Sequence, residues 1–232
     1  MVTKECYLGI YLFKNLFWWF LVYFYILSHK MDQLQQMAGL RENELKGGSQ
    51  KMLGILHQFL DLKTLIWLLP IIFIFHDLEE IITIESSMTA HKGNYPKTNF
   101  VKLTIRMREK LGSTAAQLAV SASWILLITS FIALMTARFS FNGGSFLLFT
   151  AILNLFVLQA FMHIVQTIMF RGYTPGILTS LFLLIPYCLL TYYFLAEYGQ
   201  MDWPLIFTSF LVSLILIPIN LVGNLLGRYF IR

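Results

Sequence analysis

A chain of 232 residues that is 57% hydrophobic, with a mean hydropathy of +0.68, is not a soluble domain. Only 12% of it is charged, against about 25% in ordinary soluble proteins. The net charge of +5 does not signal nucleic acid, because the basic residues fall between apolar stretches, where membrane topology accounts for them. Cys6 and Cys188 are the two cysteines, too far apart in sequence for a disulfide framework or a metal-type spacing.

A membrane-crossing helix needs roughly 20 apolar residues. The first such stretch is 7–28, interrupted by Lys14 and Asn15, and it has no small-residue cleavage site, so it reads as an uncleaved anchor. A polar stretch follows over 29–58, with a short surface helix predicted over 31–45 and Gly47-Gly48 as a break. The second span is 62–84, with Pro70 inside it. Residues 85–115 form a polar, basic connection in which Phe100, Val101, Leu103, Ile105 and Met107 interleave with charges, a pattern suited to the membrane interface. The third span is 116–137 and the fourth 146–170, separated by a Gly143-Gly144 turn. Pro175-Gly176 closes the next turn, before a fifth span, 177–196, that Pro186 should kink. The sixth span is 205–226 and contains Pro218. The expected fold is therefore all-α, a polytopic bundle of six spans: an anchor and linker over 1–51, then a five-span domain over 52–232.

Lys and Arg are unequally shared between the two sides of such a bundle. Lys4, the six basic residues of the 85–115 connection, Arg171, Arg228 and Arg232 lie on one side. Lys30, Arg41, Lys46, Lys51, Lys63 and Arg138 lie on the other. The richer side is expected to be cytoplasmic, which puts both termini inside a plasma membrane. Met52 is an alternative start, since Lys46-Gly47-Gly48 is encodable by a purine-rich ribosome-binding site, and dropping 1–51 sharpens the charge asymmetry.

The second span ends in His76-Asp77-Leu78-Glu79-Glu80, after an uncharged run from Thr64 to Phe75. Ionisable groups in such a segment are costly and mark a site facing the bundle interior. At about 100° per residue, Glu80 follows His76 one turn on, and Glu79 lies about 60° to the other side. One imidazole and two carboxylates then address one volume, a donor set that suits Zn, Fe or Mn. The same set is a competent acid/base pair. Asp77 points away and is expected to cap or to meet the basic connection.

Polar residues in other spans fall at a similar depth. Gln159, His163 and Gln166 share a face of the fourth span, and Asn220 and Asn224 share one of the sixth. Gln117 and Ser121 open the third, and Gly223 and Gly227 beside the asparagines allow close helix approach. All of them lie toward the end of the bundle where HDLEE ends, so one site is expected there, covered by Tyr173-Thr174-Pro175-Gly176. His76, Glu79, Glu80 and His163 are the expected metal ligands, with Glu79 or Glu80 left as catalytic base. Gln159, Gln166, Tyr173, Asn220 and Asn224 are expected around them, contacting substrate or supporting the ligands. Interhelical hydrogen bonding is the competing reading for His163 and the amides.

His76, Glu79 and Glu80 after an apolar run headed by Trp67, together with His163 and Arg171-x-Tyr173-x-Pro175-Gly176, give a chain that resembles the HXXEE-motif family of predicted bacterial membrane proteins. The resemblance covers about residues 62–230, and it implies the fold and the site rather than a reaction.

Three functions compete. The first is a metal-dependent enzyme, hydrolase or oxidoreductase, acting on a lipid or lipid-linked small molecule at the cytoplasmic interface. The second is a proton- or cation-coupled transporter, or a small-ligand-binding membrane protein, with His76, Glu79 and Glu80 as a relay. The third is a structural partner whose buried charges only hold helices together. Beyond the lipid bilayer no macromolecular partner is implied, and nucleic acid is not one.

Overall fold

The computed structural model describes residues 60–90, 99–111, 114–140 and 146–231. The expected anchor, the surface helix and the Met52 start lie outside these residues. Helix α1 (Leu62–Ala90) starts where the Asp61 carboxylate accepts the Thr64 N–H at 2.6 Å. The hydrogen bonds from Thr64 hold that carboxyl below its ordinary pKa. The helix continues through Pro70 and six residues past the predicted end of the second span. Its last turns are polar but satisfied internally: Ser86 donates to the Thr83 carbonyl and Thr89 to that of Glu85.

The basic connection contains a helix, α2 (Asn99–Leu111), with Val101 buried and Lys102, Arg106 and Lys110 exposed. Helix α3 (Ala115–Phe139) is capped by Thr114, whose hydroxyl accepts the Gln117 N–H, and by Glu85 of α1, which accepts the Ala115 N–H at 3.0 Å. Helix α4 (Leu147–Phe170) ends in Arg171, held in the left-handed region at φ 54°. Helix α5 (Ile177–Glu197) contains a π segment, Ser180–Leu184, which ends two positions before Pro186. The wider turn, with the Ile185 N–H bonded to the Ser180 carbonyl, takes up the proline in place of a helix break. Helix α6 (Trp203–Phe230) is capped by Asp202 through the Leu205 N–H at 2.8 Å and has Pro204 in its first turn.

The described residues are all helical or connecting, with no strand among them. Four helices, α3, α4, α5 and α6, are long and apolar enough to cross a membrane. Their outward faces are apolar to match: Leu127, Phe182 and Ile215 are 69%, 74% and 68% exposed. So continuous an apolar surface is compatible with the acyl chains of a bilayer. Of the six spans of the sequence reading, the last four are found among the described residues. The first lies outside the described residues, and α1 is set apart because Asp77, Glu79, Glu80 and Glu85, with Lys63, leave no long stretch nearly free of charge.

Helix α1 packs against α3, and α3 and α4 both pack against α6. Gly227 brings α6 so near α3 that a Cβ there would come within 2.3 Å of the Gln117 carbonyl oxygen; at Gly223 the neighbour is Trp124, at 3.0 Å. Below the site, Tyr192 of α5 donates to Asn154 of α4 at 2.7 Å, and Asn154 donates to Ser209 of α6 at 3.1 Å. That buried network joins three helices and was not read from the sequence, where Asn154 is one amide in an apolar run.

Candidate metal centre

Three helices meet around His76, which is fully buried. His76 and Glu80 come from α1 and His163 from α4. His163 Nε2 lies 2.9 Å from Glu80 Oε1, His76 Nε2 lies 3.8 Å from the same oxygen, and the imidazole rings meet edge to face with centroids 5.0 Å apart. All three ligand atoms fall within 4.8 Å of one another. Ligands about 2.0–2.1 Å from a tetrahedral ion are roughly 3.3 Å apart, and the two distances to Glu80 bracket that value. The other oxygen of Glu80 faces the Arg108 guanidinium of α2 at 3.6 Å.

Glu79, expected among the ligands, is committed elsewhere. One oxygen accepts from the Tyr173 hydroxyl at 2.6 Å and the Leu178 N–H at 3.2 Å. The other accepts the Thr179 N–H at 2.7 Å and the Thr179 hydroxyl at 2.5 Å. These amides open α5, so Glu79 caps that helix from a neighbouring one, where the helix dipole favours a negative charge. The cap has to come from outside because α5 is preceded by Gly176, which has no side chain to offer. Gly176 is itself imposed: φ is 86°, and a Cβ would come within 2.7 Å of His163 Cε1. Partial burial and the bond to Glu79 raise the Tyr173 phenol above its ordinary pKa, so it remains a donor at neutral pH.

Thr179 connects Glu79 of the motif to His76. Its single hydroxyl proton goes to Glu79, the nearest and charged acceptor, so the 2.8 Å contact with His76 must be a bond donated by His76 Nδ1–H. Nε2 then carries a lone pair, which accepts from the Gln159 amide at 3.0 Å. The spacing of the motif acquires a physical meaning: Glu79 and Glu80 flank His76 on the helix, and each addresses one ring nitrogen, Glu79 through Thr179. A ligating imidazole whose far N–H is fixed by a carboxylate is the usual arrangement around protein metals. His163 Nδ1, by contrast, is buried without a hydrogen-bond partner.

The centre opens on a cavity of about 370 Å³ bordered by Asp77, Glu80, Arg108, Ser121, Gln159, His163, Gln166, Asn220 and Asn224 as well as apolar side chains. Asn224 accepts from Ser121 at 3.0 Å. The amides expected near the site are therefore there, Gln159 on His76 itself and the rest along the wall; Tyr173 reaches Glu79. Asp77, expected to turn away, borders the cavity, as does Arg108 from the basic connection. Thr179 was not read from the sequence, since a threonine in an apolar helix carries no signal of its own.

Residues 67–191, more than half of the chain, match the family described as protein of unknown function with HXXEE motif. The chain belongs to the HXXEE family. No curated protein and no solved structure matches it. The HXXEE match runs from Trp67 of α1 to Thr191 of α5 and so includes all three residues of the centre, Glu79 and Thr179.

Proposed function

We propose that this membrane protein binds one divalent transition-metal ion, Zn, Fe or Mn, through His76, Glu80 and His163, and uses it as a Lewis acid on a lipid or lipid-linked substrate. What carries the reading is the meeting of an imidazole and a carboxylate from α1 with an imidazole from α4, beside a cavity with largely apolar walls. Two histidines and one glutamate leave coordination positions for water or substrate, as catalytic rather than purely structural sites do. The Gln159 amide gives up the His76 lone pair when the ion enters, and Arg108 holds the oxygen of Glu80 that the ion does not need. Glu79 acts through Thr179, orienting His76, in place of the base role expected for it. In the same reading 52–232 is the working domain, 1–51 an anchor and linker, and the basic side of the bundle faces the cytoplasm of a plasma membrane.

Elemental analysis of the purified chain tests this. Roughly one transition-metal ion per chain is expected in the wild type, and far less in His76→Ala and His163→Ala. No bound transition metal in any of the three ends the reading. Thr179→Val keeps the volume but removes the link to Glu79, and metal affinity is expected to fall about 10–100-fold, measured by chelator competition. Unchanged affinity would mean the Glu79–Thr179–His76 chain has no part in the centre. A coupled transporter has less behind it. The inner end of the cavity is walled by Phe73, Ile152 and Ile217, which offer a proton or cation no ligands.

A further inference from the structure

The cavity changes character along its length, and the change runs the same way on four helices. On α4 the wall goes from Ile152 and Leu155 to His163 and Gln166; on α6 it goes from Ile217 to Asn224. On α1 it goes from Phe73 to Glu80, and on α3, which runs the other way, from Ile125 back to Ser121. Thr129, at the apolar end, turns its hydroxyl back to the carbonyls of Ile125 and Leu126. From Ile152 to Gln166 the wall is about 21 Å long at the rise of an α-helix. A volume of about 370 Å³ drawn out over that length is narrow, near the lower end of ordinary ligand pockets. It has room for one hydrocarbon chain, not two.

The polar end has functional groups that no described residue satisfies. Among the described residues, Asp77, Gln166 and Asn220 border the cavity and their side chains have no hydrogen-bonding partner. Arg108 is, among the described residues, the one Lys or Arg on the cavity wall, and its contact with Glu80 is loose. Once Glu80 serves a divalent ion, the balance of that ion, Arg108, Glu80 and Asp77 is positive, which favours an anionic head over an ammonium. Asp77 and the amides suit hydroxyl or amide groups beside it.

We propose that the cavity holds a single-chain amphiphile, its one acyl chain lying along α4 and its oxyanion head between Arg108 and the His76–Glu80–His163 centre. This rests on the metal-centre reading for the charge of the head, and names the substrate class of that site. Free fatty acids and lysophospholipids share this chemistry.

The test uses the full chain in nanodiscs with two photoactivatable probes, diazirine-labelled palmitic acid and diazirine-labelled palmitoyl lysophosphatidic acid, with adducts mapped by mass spectrometry and bound metal measured on the same samples. Adducts are expected at Ile152, Leu155 and Ile217, displaced by the unlabelled single-chain compounds but not by dipalmitoyl phosphatidic acid. Whichever probe labels at the lower concentration identifies the source of the chain. Ala122→Phe fills the cavity from α3 and is expected to lower those adducts about tenfold, with lipid-facing Leu127 and Phe131 still labelled and metal retained. Arg108→Gln, which leaves the apolar packing intact, is expected to weaken both acidic probes about tenfold and hexadecanol hardly at all. Adducts confined to lipid-facing residues, or cavity adducts displaced equally by the diacyl lipid, overturn the proposal even where metal is bound. Cavity adducts on protein without metal support the amphiphile and sink the metal centre instead.

Discussion

Glu80→Gln is expected to abolish metal retention while leaving the bundle folded. Glu80 is the group both imidazoles share: one of its oxygens faces His163 and His76, and the other faces Arg108. The amide has the same shape and still accepts a hydrogen bond from His163, so packing around the buried rings is kept. What goes is the only negative charge among the three ligands. A residue that merely supports a ligand is worth about 10–100-fold in affinity, so removal of the charged ligand should exceed 100-fold. Stability changes little by comparison, because the Arg108 pair is long and partly exposed, and such pairs contribute about 1 kcal/mol or less. Metal content and thermal unfolding in detergent, measured on the same preparation, separate the two effects. Wild-type stoichiometry in Glu80→Gln would show that the ion, if any, is held elsewhere.

Much of this centre was legible in the sequence because membranes make polar residues conspicuous. His76, Glu80 and His163 stand out in apolar runs, helical spacing puts the first two on one face, and depth along the spans brings the third to them. Spacing gives direction and not partners, however. It placed Glu79 beside His76 but said nothing of the α5 amides that engage its carboxylate, since those belong to a turn formed a hundred residues later. Thr179 and Gly176 are ordinary residue types whose role exists only through that turn. The same limit explains α1: read by hydropathy it ends at residue 84, whereas hydroxyl-to-carbonyl bonds and the Glu85 cap on α3 give reasons to continue to Ala90. Its three glutamates thus serve three neighbours: α5, the His163 imidazole of α4, and α3. A segment with a costly cluster of charges is also a helix against which α3 and α5 pack.

Gly176→Ala is expected to damage both halves of the site at once. The residue has φ 86°, a conformation that costs an alanine about 1–2 kcal/mol. Its new Cβ would also lie 2.7 Å from His163 Cε1 and 3.0 Å from Nε2, the nitrogen that faces Glu80. The imidazole is buried and cannot swing into solvent, so either the ring is driven off Glu80 or the start of α5 moves outward. The second response withdraws the Leu178 and Thr179 amides from Glu79 and, through Thr179, loosens His76. Either way a ligand is lost. Gly199→Ala is the control, because it has the same kind of backbone at φ 64° with nothing within 4 Å of the added carbon. It should cost about 1–2 kcal/mol and keep its metal. Gly176→Ala should lose more stability than that, together with the metal. If the two variants bind metal equally well, the packing of Gly176 on His163 does not govern the centre, and the turn between α4 and α5 is only a connection.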